Sequence, residues 1–239
     1  MSRFWQGLSD LVFPPRCIAC GVLLTGPVDE RFCSSCFSRI SFISSPLCPC
    51  CGIPLPGAGT DHFCGDCLLL RPPYHVARAV ACYDSVLLDA IHVFKYKGKI
   101  TTGEVLGKMM AEHVYPGFKI PDYSLIVPVP LHRKRLRERG FNQAVILARE
   151  VSKRFSIPLD FMNLKRHVFT EPQVALGKGQ RTANVKGAFT VKDAKRIEGQ
   201  KIILVDDVYT TGSTVRECAG VLMEHNAEEV AVLTLARAV

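Results

Sequence analysis

With 239 residues, 48% of them hydrophobic and 22% charged, the chain can form one domain with a sizeable core plus a small extra module, and intrinsic disorder is excluded. No apolar run is long enough to cross a bilayer, and the N-terminus lacks the charged start, long apolar stretch and small-residue cleavage site of a secretory leader, so a cytoplasmic protein without membrane insertion is expected. The formal net charge of +8 is uneven, −1 over residues 1–70 and +9 over residues 71–239, so the field that suits phosphates, nucleotides or nucleic acid belongs to the second part.

Phe4, Trp5, Leu8 and Leu11 recur at helical spacing and predict a short helix packed on the rest of the protein; without a basic face it is not read as a membrane anchor. A cysteine repeat follows. Cys17, Cys20, Cys33 and Cys36 recur as Cys48, Cys51, Cys64 and Cys67, each 31 residues on. Pro15, Gly21, Leu24, Gly26 and Phe32 recur with the same shift as Pro46, Gly52, Leu55, Gly57 and Phe63, the signature of a tandem duplication. Two residues between thiolates let both sulfurs of a tight turn face one metal, and the twelve-residue spacer leaves room for a hairpin that brings the second pair round. Each unit therefore predicts a closed four-sulfur zinc site, two ions in all, structural because no coordination position stays open. The alternative, a disulfide framework, is disfavoured because cytoplasmic thiols stay reduced. Ligands are expected to pair within each unit, since the repeat holds a whole set. Cys50, whose counterpart is Ala19, is read as a bystander, and Cys82 and Cys218 as core residues.

Arg71 to Tyr74 reads as a linker, after which strands and helices alternate. Strands are expected over 77–83, 124–129, 201–205 and 229–235, and helices over 86–96, 101–114, 142–155 and 213–225. This order implies a mostly parallel sheet with helices on its faces, with ligands bound beyond the C-terminal strand ends.

The segment from Ile202 to Thr214 carries the chemistry. Four apolar residues make a central strand, Asp206 and Asp207 stand at its tip, and Thr210, Thr211, Gly212, Ser213 and Thr214 form a small hydroxyl-rich loop before a helix. Backbone amides of such a loop, with the helix N-terminus, cradle an anion. The adjacent carboxylates can accept hydrogen bonds from two ribose hydroxyls, directly or through magnesium. A strand, an Asx turn and a capped helix without a ligand is the plain alternative. Further up the chain, Arg133, Lys134, Arg135, Arg137 and Arg139 crowd seven positions with one acid, Glu138. The run is a solvated surface or, beside a pyrophosphate site, a phosphate contact. Phe141 is the one aromatic close by in sequence, so base stacking has little support. His132 shows no partner and is read as a surface residue. Lys95 and Lys97 are as readable as solvated surface as they are as ligand contacts.

The loop segment resembles the phosphoribosyl pyrophosphate signature of the type I phosphoribosyltransferases. Over nearly its full length the chain resembles the ComF family of competence-associated, phosphoribosyltransferase-like proteins. The resemblance is carried by the paired cysteine units, Ile91 to Gly98, Val127 to His132 running into Arg139 to Gln143, Thr170 with Gln173, Arg181 with Asn184, and the loop. It implies an α/β fold, a type I phosphoribosyltransferase-like parallel sheet flanked by helices, over residues 71–239, preceded by a double zinc-ribbon module over residues 1–70. It also implies handling of single-stranded DNA in natural transformation in some bacteria.

Three functions follow. As a phosphoribosyltransferase, a pentosyl-transferring enzyme, the protein would bind magnesium and phosphoribosyl pyrophosphate. The loop from Thr210 to Thr214 would hold the 5-phosphate, and Asp206 and Asp207 the ribose hydroxyls and metal. Arg133, Lys134 or Arg139 would stabilise the departing pyrophosphate. No base-binding segment and no general base is recognisable. As a non-catalytic adaptor of the competence machinery, it would carry single-stranded DNA on the basic face and dock a partner such as a competence helicase through the zinc module. A purely structural zinc scaffold fits an intact acidic pair and phosphate loop least well.

Overall fold

The apolar, β-branched runs pair side by side. The structure, a computed structural model, describes residues 14–24, 32–96, 98–169 and 185–239. The expected N-terminal helix, Lys97, Thr170, Gln173, Arg181 and Asn184 lie outside the described residues. The strands in chain order are β1 (Val76–Cys82), β2 (Leu125–Pro128), β3 (Leu164–Arg166), β4 (Phe189–Val191), β5 (Lys201–Tyr209) and β6 (Glu229–Arg237). The helices are α1 (Ser34–Phe37), α2 (Gly65–Leu69), α3 (Ser85–Tyr96), α4 (Ile100–Glu112), α5 (Arg133–Arg139), α6 (Gln143–Phe155) and α7 (Ser213–Glu224). The expected parallel sheet is present, ordered β1-β6-β5-β2, with β3 and β4 a separate antiparallel pair.

Successive strand residues point to opposite faces, so β5 feeds two cores. Ile203 and Val205 meet Ile91 and Phe94 of α3, Leu106 and Met110 of α4, and Leu147 and Val151 of α6. Ile202 and Leu204 meet Val215, Cys218 and Leu222 of α7 and Phe189 of β4. The strand runs four residues beyond the expected end at Val205, because β6 continues to offer partners: Asp206 pairs with Thr234 and Tyr209 with Arg237. That pairing outweighs the poor strand propensity of aspartate.

The two cysteine units fold alike in their first turns. Gly21 donates to the Cys17 carbonyl and Gly52 to that of Cys48, both at 2.9 Å, while Leu24 and Leu55 donate to Pro15 and Pro46, again at 2.9 Å. The first unit packs into the core under α3 and α4, the second into the core under α7. Together they cover the free edge of β1. Ala77 donates to the Cys50 carbonyl at 2.7 Å, Ile43 to Val80 at 3.0 Å and Cys82 to Ser41 at 2.9 Å. At Gly52, with φ of 70°, a Cβ would collide with the Ala77 carbonyl oxygen, so the second knuckle seats against β1 only with glycine there.

The stretch expected to be a linker is instead packed. Pro72 and Tyr74 are buried, because an aromatic ring with a hydroxyl finds both a core and a partner here: the Tyr74 hydroxyl bonds that of Tyr209 at 2.7 Å. Among the described residues no helix is long and apolar enough to cross a membrane.

Candidate functional site

Because β5 runs past its apolar half, its end presents Asp206 and Asp207 to a cavity of about 570 Å³ above the sheet. The Asp207 amide donates to Asp206 Oδ1 at 2.8 Å, and Asp207 Oδ2 meets Lys95 Nζ of α3 at 2.5 Å. The two acids are driven apart electrostatically. Burial pushes the Asp206 carboxyl up to about 8, and the neighbouring Asp207 charge adds to the effect. Burial also works to raise Asp207, but the Lys95 ammonium outweighs it and holds that carboxyl below its ordinary value.

Asp206 makes the fold pH-dependent. Unfolded, it loses its proton near 3.8; folded, it keeps it to about 8. Its contribution to stability is complete below the lower value and lost as pH rises through the upper one. Asp206→Asn is therefore expected to remove a downward slope of up to about 1.4 kcal/mol per pH unit between these values. Denaturant melts of both proteins from pH 5 to 8.5 measure it, and parallel curves would contradict the assignment.

Beyond the acids the chain turns through Gly212, which has φ of 75° and begins α7. The Tyr209 ring fills the space beneath it, where a Cβ would collide with the ring. Thr211 Oγ1 and Ser213 Oγ lie 2.9 Å apart and brace the loop from within, while Thr210, Gly212, Ser213 and Thr214 line the cavity. Loop residues at the positive end of α7 thus line the same space as the two acids.

Both cysteine sets converge. Within each unit of four the sulfurs lie within 4.8 Å of one another. Cys20 and Cys33 sulfurs are 3.8 Å apart and those of Cys51 and Cys64 3.6 Å. Tetrahedral zinc with bonds of about 2.3 Å requires roughly 3.8 Å between ligand sulfurs, so the donor sets fit. Amides of Cys36 and Cys64 donate to the sulfurs of Cys33 and Cys48 at 3.4 and 3.5 Å, as thiolate ligands accept. Two four-cysteine sites that suit structural zinc are present, with ligands paired within each unit.

A sequence family described as a double zinc ribbon domain matches residues 8–68, and one described as a phosphoribosyl transferase domain matches residues 142–238. The DNA utilization protein YhgH of Escherichia coli (strain K12) is 34% identical over 171 residues, 70% of this chain and 74% of that protein. Competence protein F of Haemophilus influenzae is 33% identical over 162 residues, 65% of this chain and 70% of that protein. The chain belongs to the ComF family. Among solved structures, glutamine phosphoribosylpyrophosphate amidotransferase from B. subtilis is 20% identical and matches 55% of this chain and 25% of its own with a TM-score of 0.38, too slight a likeness to carry an argument.

In this ComF-family fold the basic run is the short helix α5. His132 caps it, its Nδ1 accepting from the Lys134 amide at 3.2 Å, and Gly140 ends it with φ of 82°. Helical spacing divides the cations. Arg135, Glu138 and Arg139 line the cavity, whereas Arg133 and Lys134 lie outside its lining, Lys134 over the Phe169 ring at 4.5 Å. Arg166 of β3 completes the lining, and no local signal in the sequence marks it. Phe141 is stacked on Phe94 at 5.5 Å in the core. Two other aromatics flank α5 instead: Tyr96, 72% exposed, beneath Arg139, and Phe169, 40% exposed. Lys95, ambiguous in the sequence, is the partner of the acidic pair. Gln143 also lines the cavity; it is buried, and its Nε2 has no hydrogen-bond partner among the described residues, a donor that a ligand would satisfy.

Proposed function

We propose that this ComF-family protein binds phosphoribosyl pyrophosphate, or a ribose 5-phosphate group, at the end of β5. The observation that carries the reading is the acidic pair and the glycine loop facing one cavity of about 570 Å³. A phosphate held by the loop leaves the sugar's two hydroxyls toward Asp206 and Asp207, and a ligand offering only one of these groups would leave half of the site unpaired. As the diol arrives, Asp207 exchanges its bond to Lys95 for bonds to hydroxyls. Lys95, Arg135 and Arg139 then stand on the side where a pyrophosphate would lie. Carboxylate oxygens are the donors magnesium takes, and the ion would draw charge from the pyrophosphate. In transfer, an acceptor atom would bond to the anomeric carbon as the carbon–oxygen bond to pyrophosphate breaks. The electron pair would leave with pyrophosphate, and the acceptor's proton would pass to solvent. The names of the relatives, competence protein F and DNA utilization protein YhgH, support a role in DNA uptake.

A second reading, binding of single-stranded DNA along α5, is favoured by the exposed rings of Tyr96 and Phe169 beside that basic helix. Calorimetric titration of phosphoribosyl pyrophosphate, with and without magnesium, decides between the two. The first reading expects magnesium-dependent binding that falls at least about tenfold in Asp206→Asn, Asp207→Asn, as loss of the charged Asp207 contact would dictate. Silence in the wild-type protein would sink it and leave the basic face as the working site.

A further inference from the structure

Arg237, at the end of β6, is 6% exposed and touches both functional regions. Its Nη1 donates to the Cys51 carbonyl at 2.7 Å and its Nη2 to Cys51 Sγ at 3.6 Å. The same guanidinium lies 4.1 Å from the centre of the Tyr209 ring. That ring is the floor of the phosphate loop beneath Gly212, and its hydroxyl is held by Tyr74 at 2.7 Å. Among the described residues no carboxylate forms a salt bridge with Arg237. Its planar fork is used on one turn of the second cysteine unit and on one aromatic face. A metal bound by Cys48, Cys51, Cys64 and Cys67 would hold the turn that carries the Cys51 carbonyl in one position. Arg237 would transmit that position to Tyr209, and Tyr209 to the backbone at Gly212. The first cysteine site packs in the opposite core, and among the described residues it makes no hydrogen bond to Arg237 or Tyr209.

We propose that Arg237 is a positioning residue that couples the second cysteine site to the phosphate loop, so that metal held there and a phosphoribosyl ligand held at the loop stabilise each other. The coupling rests on the phosphoribosyl reading of the loop. Because linkage is reciprocal, it is read at either end.

The experiment uses the full-length, zinc-loaded protein, a strong chelator and a thiol alkylating agent, with and without saturating phosphoribosyl pyrophosphate and magnesium. Mass spectrometry follows alkylation of the Cys17–Cys36 and Cys48–Cys67 peptides separately. The ligand is expected to slow labelling of the second set about tenfold, within the usual range of coupling between sites, and to leave the first set unchanged. Arg237→Leu is expected to abolish the difference. Arg237→Lys keeps the buried charge without the fork and is expected to lose most of it, which covers the case in which the leucine variant does not fold. Equal slowing of both sets, or protection undiminished in Arg237→Lys, overturns the coupling. Absence of protection while calorimetry shows the ligand bound overturns the coupling alone; absence of binding overturns it together with the proposed function.

Discussion

Gly212→Ala is expected to weaken phosphoribosyl pyrophosphate binding by about a hundredfold or more and to destabilise the protein by roughly 2–4 kcal/mol. Two costs meet at this position. Its φ of 75° lies in the left-handed region, which a side chain enters only at a cost of about 1–2 kcal/mol. The added Cβ would also overlap the Tyr209 ring. That ring has little freedom to move, since it is 4% exposed, bonded to Tyr74 and covered by Arg237. The loop must yield instead, and its residues leave the positions at which they line the cavity. Charge-assisted hydrogen bonds to a phosphate contribute about 1.5–3 kcal/mol each, so misplacing two of them accounts for a hundredfold loss. Calorimetry gives the affinity and a denaturant melt the stability. Affinity within about threefold of wild type, in a protein destabilised as expected, would mean that the loop does not hold the phosphate.

Stripping zinc is expected to lower the melting temperature by more than about 10 °C and to make the protein aggregate. Among the described residues the helices of the cysteine module are four and five residues long, and its buried cysteines share their apolar clusters with the sheet. Structural zinc contributes about 10–16 kcal/mol to comparable small modules, and a loss of only about 5 kcal/mol moves the midpoint of a chain of this size by roughly 10–20 °C. Aggregation has a separate cause. Ser41, Ile43 and Cys50 supply the backbone partners on the outer edge of β1, and without them an apolar strand edge is open to pairing with another chain. Thermal melts with light scattering, with metal content verified before and after chelation, test both effects. A metal-free protein with an unchanged midpoint and no scattering would contradict them.

The sequence alone determined whatever depends on local spacing. Cysteines separated by two and twelve intervening residues dictate which sulfurs meet, and the 31-residue repeat dictates that they meet twice in the same way. Apolar runs bounded by turn residues located the four strands of the parallel sheet to within a residue or two at most ends but left β3 and β4 unmarked, and an acidic pair followed by a glycine loop pointed to the candidate site. The misses share one physical cause, since each depends on a partner remote in the chain. β5 extends through two aspartates because β6 lies beside it. Tyr74 is buried because Tyr209 waits 135 residues away, and Lys95 acquires a role only against Asp207. Which cations line the cavity was settled by the rotation of α5 about its own axis and by the arrival of Arg166 from β3, neither of which composition or spacing encodes. The contact of Arg237 with Cys51 spans 186 residues, and it exists only because the second zinc knuckle closes the edge of the sheet.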